Sequence, residues 1–407
     1  MFDTEKADPR LIGSRLTAAR KARGATQEEA AKHLGCSRPT LIAIEKGERR
    51  AKPEEIVKLA SFYGRSVHEI VRPGAEPAGL EPHLRAIIEP GSSDAGKMNE
   101  AISELVRFAE DYRQLEQIVN AKPISAYPPE VNLPEHGDLR GFAEDTAMME
   151  RDRLGLGIQP ILNLREILET EVGLRIFYGG LPSRIAGLFA YSADLGFCVL
   201  INRKHPPERR RATLAHEYGH ALCDRHKPGI DYLDVSIRKP LSERFAEAFG
   251  MSLLMPANGI RRQFHEIISS TGDFQVADLC RLSNFYFVSV QAMSLRLEEL
   301  DLINRGTWSL LAEEGFKPRK AAEELGLQPC HPETDKPYPE RYESLAVQAY
   351  EQGSISEGQL CRFLRCDPVS ARETVAMCLD YCFTDERGET LERRMPFDRS
   401  SLLRTTR

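Results

Sequence analysis

Apolar residues recur at helical spacing from Leu11 to Ala22, and Gly24 stops the run. Thr26 followed by Gln27, Glu28 and Glu29 is a capping box, and the helix it opens ends at Gly35. Ser37 caps a third helix that runs to Gly47, Pro53 stands near the start of a fourth ending at Gly64, and Ser66 begins a short fifth. Five short helices with a tight turn between the second and third form a helix-turn-helix pattern. From Met98 to Val119 the apolar positions make one broad stripe of a long helix. The stripe drifts off a strict heptad after Tyr112, which favours packing on its own chain over a dimerising coiled coil. Helical patterns at 141–153 and 162–170 precede strand-like runs at 174–177, 186–191 and 196–202, and the last two, separated by Ser192 to Leu195, read as an antiparallel hairpin. Further helices are predicted near 208–224, 241–254 and 289–300, and after Gly306 the chain is helical and polar.

These patterns predict a mainly α, multidomain chain. Residues 1–75 form a five-helix domain and 76–139 a linker, Pro/Gly/Ser-rich at 73–97 and marked by Pro123, Pro128, Pro129 and Pro134 at 123–136, that carries the long helix. Residues 140–305 form an α+β domain with a small antiparallel sheet, and 306–407 a helical domain. The composition fits this reading: of 407 residues, 41% are hydrophobic and 29% charged, enough apolar material for real cores. No run approaches the roughly 18 apolar residues of a membrane helix, and MFDTEKADPR lacks a signal-peptide core. Nine cysteines without dense spacing suit reduced thiols, so a cytoplasmic location without membrane attachment is expected. Charge adds an asymmetry. Residues 1–72 hold 15 Lys/Arg against 10 Asp/Glu, a net of +5, which leaves −11 on the remainder of a chain whose net charge is −6. A basic N-terminal block suits an anionic polymer.

The sharpest chemical signal is His216-Glu217-Tyr218-Gly219-His220. At i and i+4 of a helix the two imidazoles reach one zinc ion, and Glu217 beside them takes the proton of a zinc-activated water. A third protein ligand is needed. Downstream, Glu243 and Glu247 are again i and i+4. Glu243 is taken as the ligand and Glu247 as the acceptor that orients a ligand histidine, the exchange of the two roles being the alternative. Tyr218 and His226 are candidate oxyanion stabilisers, against the simpler readings of a packing residue and an exposed helix end. The strand Phe197 to Asn202 is a plausible edge for an extended substrate. Cys361, Cys366, Cys378 and Cys382 match no metal knuckle and read as buried helical thiols, and Cys223 as a packed cysteine.

HEYGH, followed by a helix of the form E-x-x-A-x-x-F (Glu243, Ala246, Phe249) that ends in Leu253 to Pro256, resembles the ImmA/IrrE family of bacterial zinc metallopeptidases over about residues 140–305. One departure is Glu247, where that family usually has Asn or Asp. The N-terminal module resembles the phage-repressor (XRE) type of helix-turn-helix. In that type the third helix lies in the major groove, so Ser37, Arg38 and Thr40 face bases, Arg38 pairing with guanine, while Gln27 and Lys46 face phosphates. Few discriminating side chains per half-site imply a homodimer on a double-stranded DNA operator. The resemblance implies a zincin-like fold, a Zn²⁺ cofactor, and a transcriptional regulator that cleaves a regulatory protein such as a repressor or the product of a neighbouring gene. The alternatives are a non-proteolytic regulator, or an antitoxin-like protein whose zincin-like domain binds a partner or ligand. Ser356 to Asp367 echoes Thr26 to Ser37, but any capped amphipathic helix ending in a turn reads this way, and no second DNA-reading unit is expected.

Overall fold

The computed structural model describes residues 9–23, 25–63, 67–71, 84, 94–232, 239–327 and 335–380. The predicted helix boundaries at Gly24, Gly64 and Ser66, the Pro/Gly/Ser-rich stretch up to residue 93 except residue 84, and Cys382 lie outside these residues. The chain divides into two compact units, residues 1–79 and 80–407.

The first unit holds α1 (Pro9–Arg23), α2 (Gln27–Leu34), α3 (Arg38–Glu45), α4 (Pro53–Tyr63) and α5 (Val67–Val71). Its local chemistry follows the sequence closely. Thr26 and Glu29 complete the capping box of α2, Gly35 closes that helix with φ 77°, and the Ser37 side chain caps α3. Leu16, Ala30, Leu41, Ile44 and Leu59 fill the core. Within it Arg20 donates to both oxygens of Glu45, at 2.6 and 3.1 Å, so two charges that would be costly to bury apart are buried as a bidentate pair.

The second unit is built around one four-stranded sheet of order β1-β3-β2-β4, with β1 (Arg175–Gly179), β2 (Ile185–Ser192), β3 (Gly196–Asn202) and β4 (Gly229–Tyr232). The predicted β2–β3 hairpin is antiparallel. The sheet as a whole is mixed, not antiparallel, because β1 pairs parallel with β3. This also corrects the reading of β3 as an edge, since it lies between β1 and β2. The outer edges are β1 and β4. Residues 335–337 cross beside β1, where the Tyr178 amide donates to the Pro337 carbonyl at 2.8 Å and Arg165 and Arg210 hold Lys336 and Asp335.

Side chains alternate across the strands, and both faces are covered. On one face Ile176, Phe189, Val199 and Ile201 join the core formed with the helices Leu139–Arg153, Pro207–Cys223, Leu241–Leu254 and Val290–Glu299. On the other, Phe177, Leu188, Cys198 and Leu200 pack with Ala95–Ile118, Glu340–Glu351 and Glu357–Leu364. The long helix therefore packs on its own chain. The last two helices, Glu357–Leu364 and Pro368–Asp380, repeat the local geometry of α2 and α3. Ser356 and Gln359 form a capping box, Arg365 sits at φ 52° where α2 has Gly35, and Asp367 holds the Ser370 hydroxyl at 2.8 Å as Ser37 holds Thr40 at 2.9 Å.

Two helices of the sheet unit cross unusually closely. A Cβ on Gly219 of Pro207–Cys223 would stand 2.7 Å from the Ala246 Cα of Leu241–Leu254, and one on Gly250 would stand 3.0 Å from the His216 amide nitrogen. The crossing therefore requires glycine at Gly219, where the obstructing atom is backbone. Gly219→Ala is expected to destabilise this unit by about 1–3 kcal/mol through overpacking. Urea unfolding followed by the fluorescence of Trp308, the single tryptophan, which packs against this core, measures the change.

Candidate metal centre and nucleic-acid interface

The helix Pro207–Cys223 carries the two histidines and lies across β2. A one-turn spacing brings His220 Nε2 within 3.1 Å of His216 Nε2. The close crossing then delivers Glu243, from the first turn of Leu241–Leu254, so that its two oxygens stand 3.4 Å from His216 Nε2 and 3.4 Å from His220 Nε2. Ligand atoms 2.0–2.1 Å from a tetrahedral ion lie roughly 3.3–3.4 Å apart, so the three donors are spaced for a single zinc-sized cation. Their chemistry agrees. His220 Nδ1 faces Asp224 Oδ1 at 2.9 Å, which places the ring proton on Nδ1 and turns the Nε2 lone pair toward His216 and Glu243. Two imidazole nitrogens and a carboxylate are the nitrogen and oxygen donor set of a zinc site.

The electrostatics follow from this crowding. Burial opposes charge on Glu243, yet hydrogen bonds from His216 and His220 hold its carboxyl well below the usual carboxylate range. Burial works against a charged His220 as well, but Asp224, Cys223 and Glu243 raise its affinity for a proton well above the usual imidazole value. Glu217 is different. It is fully buried, and neither carboxylate oxygen has a hydrogen-bond partner. Burial pushes its carboxyl far up, with Asp231, Glu243 and Asp224 adding to the effect and His220 opposing it. Gly187 of β2 makes room for it, since a Cβ there would stand 2.9 Å from Glu217 Oε1.

The structure thus brings Glu217, His216, His220 and Glu243 together and leaves Glu247 apart. The Glu247 side chain is 56% exposed and pairs with Lys239 at 2.9 Å. The contact to a histidine of the pair expected of Glu247 is made instead by Asp224, four residues beyond His220 at the end of its helix. The i+4 spacing that links His216 to His220 also links His220 to Asp224, so the sequence carries a signal for this contact. Tyr218 is buried, with its hydroxyl donating to Glu150 and accepting from Arg153 at 2.9 Å, so it has the packing role. His226 is exposed at the rim of a shallow cleft with Tyr127, Glu130, Tyr191 and Arg225. Among the described residues, Cys361, Cys366 and Cys378 join no group of converging metal-type ligands.

In the first unit Ser37 and Arg38 are exposed, Thr40 is half-buried and Lys46 is exposed at the end of α3. Arg38 stands in the first turn of α3. Lys46 stands 3.9 Å from Glu48, and both side chains are largely in water. The Gln27 amide is engaged, its Nε2 donating to Glu45 at 3.0 Å. What Gln27 still offers a phosphate is its backbone amide at the start of α2.

Comparison with known proteins matches residues 11–72 to a helix-turn-helix domain and residues 169–298 to the IrrE N-terminal-like domain of peptidase family M78. Residues 27–34 and 38–45 of the first match are the α2 and α3 pair, and the second contains the converging histidines. An uncharacterized HTH-type transcriptional regulator of Methanocaldococcus jannaschii is 47% identical over 45 residues, 11% of this chain and 68% of that protein. The chain belongs to the helix-turn-helix regulators and carries an IrrE-like domain. The cryptic phage CTXphi transcriptional repressor RstR of Vibrio cholerae is 38% identical over 61 residues, 15% of this chain, so the match spans about half (55%) of that repressor. Among solved structures, ComR from Streptococcus suis aligns with 92% of this chain and 90% of its own at 12% identity and a TM-score of 0.16. PlcR of Bacillus thuringiensis, in complex with the peptide PapR7 and DNA, aligns with 91% and 95% at 11% identity and a TM-score of 0.16.

Proposed function

We propose that this helix-turn-helix regulator is a cytoplasmic, DNA-bound zinc endopeptidase that cleaves a regulatory protein, such as a repressor or a neighbouring-gene product. One observation carries the peptidase reading: a fully buried glutamate with two unpartnered oxygens beside three converging metal-type donors. A carboxyl group left so costs stability, and its use in moving a proton accounts for its retention.

His216, His220 and Glu243 would hold the zinc ion, leaving a fourth position open. When bound, zinc supplies Lewis acidity to a carbonyl oxygen and to a water molecule. Glu217 takes a proton from the attacking water on one carboxylate oxygen and delivers it to the leaving amine nitrogen as the C–N bond breaks. Burial raises its proton affinity and so suits it to that return step. The substrate is an extended segment, added as a strand along β4, the edge that residues 335–337 do not cover. On DNA, Arg38 and Thr40 meet base edges in the major groove, Ser37 fixes the first turn of α3, and the Gln27 amide and Lys46 meet phosphates. A homodimer places two such helices on one operator.

Purified protein should hold about one zinc per chain, largely lost in His216→Ala, His220→Ala and Glu243→Ala and kept in Glu247→Ala. Metal analysis by mass spectrometry decides this, and full zinc in the histidine variants would refute the site. Glu217→Gln should retain zinc and DNA binding while cleavage falls roughly 10²- to 10⁴-fold. A reporter under the protein's control should then stay uninduced, whereas normal induction would leave a regulator without proteolysis. Arg38→Ala should weaken operator binding by about 1–3 kcal/mol and relax sequence preference, while Lys46→Ala should weaken all sequences alike and lower the salt slope. Mobility shifts across a salt series separate the two effects.

A further inference from the structure

Two groups of metal-type donors share His220: one with His216 and Glu243, the other with Cys223 and Asp224. They use opposite nitrogens of the ring. Nε2 faces the first group at 3.1–3.4 Å, and Nδ1 faces Asp224 at 2.9 Å. The second group could be another cation site or a support for the first, and its hydrogens decide between them. Asp224 Oδ1 accepts from His220 Nδ1 and, at 3.3 Å, from the Cys223 thiol. A cation in that place would need both hydrogens removed.

Asp224 is the residue at which the histidine helix ends, so its carboxylate stands one turn past His220 and holds that ring from behind while Nε2 faces the other donors.

We infer that Asp224 is the positioning residue of the metal centre, fixing the His220 ring through Nδ1, with the Cys223 thiol held against the same carboxylate as a support and not a ligand. This rests on the zinc reading above. It differs from the i+4 acid pair of the sequence in placing the support on the histidine helix.

The test is zinc affinity of the full chain, by competition with a chromogenic chelator, together with the visible spectrum of the cobalt-substituted protein. Asp224→Ala should bind zinc 10- to 100-fold more weakly with its cobalt spectrum shifted. Asp224→Asn, which keeps an acceptor for the ring N–H, should recover part of that loss. Cys223→Ser should leave one metal per chain at nearly unchanged affinity. Trp308 fluorescence confirms folding in each variant. Wild-type affinity and spectrum in Asp224→Ala would overturn the assignment, as would two metals per wild-type chain falling to one in Cys223→Ser. A folded wild-type chain that holds no zinc at all would overturn the metal reading itself, a result distinct from both.

Discussion

Everything at the centre depends on how closely two helices can cross. Side chains of ordinary size at the contact would hold the axes 8–10 Å apart, and the approach at Gly219 and Gly250 is possible because neither presents a Cβ. Glu243 leaves the second helix from its first turn, so any splaying of the pair moves its oxygens away from both histidines together. Behind the first helix, β2 acts as a fixed floor: Gly187 leaves room for Glu217, and Phe189 stacks on His220 with ring centroids 4.9 Å apart. The donors are therefore placed by backbone approach and ring packing, before any ion contributes.

Much of this could be read from the chain alone, wherever the determining interaction is short in sequence. The caps of α2 and α3 involve residues three apart, and the histidine pair residues four apart, so spacing was sufficient. The β2–β3 hairpin is equally local. Sheet order is not. The parallel pairing of β1 with β3 spans more than twenty residues of sequence, and β4 is a four-residue strand with no alternation long enough to register. Those two features decide the order of the strands, so Phe197 to Asn202, expected at an edge, lies inside the sheet. Glu247 fails for a related reason. Periodicity places it one turn from Glu243, but says nothing of Lys239, which holds it at the surface.

The helix pair near the end of the described chain shows how far local geometry can repeat without its chemistry. Caps and turn match α2 and α3, and Leu41 and Ala371 are both fully buried at corresponding places. At the positions of Gln27, Arg38 and Lys46, however, stand Glu357, Pro368 and Ala376. The side chains assigned to DNA in α2 and α3 are therefore absent at these positions and an acid stands in place of Gln27, so the scaffold is repeated without that contact set.

The burial of the sheet on both faces has a practical consequence for dissection of the molecule. A fragment cut near residue 306, where the sequence suggests a boundary, would keep every metal-type donor yet strip Tyr342, Leu345 and Phe363 from the layer that shields Phe177 and Leu200. At about 1.5–3 kcal/mol for each large side chain returned to water, the loss exceeds the margin by which most domains stay folded. Residues 338–371 belong to the hydrophobic layer on that face of the sheet, and a fragment without them would return the face to water.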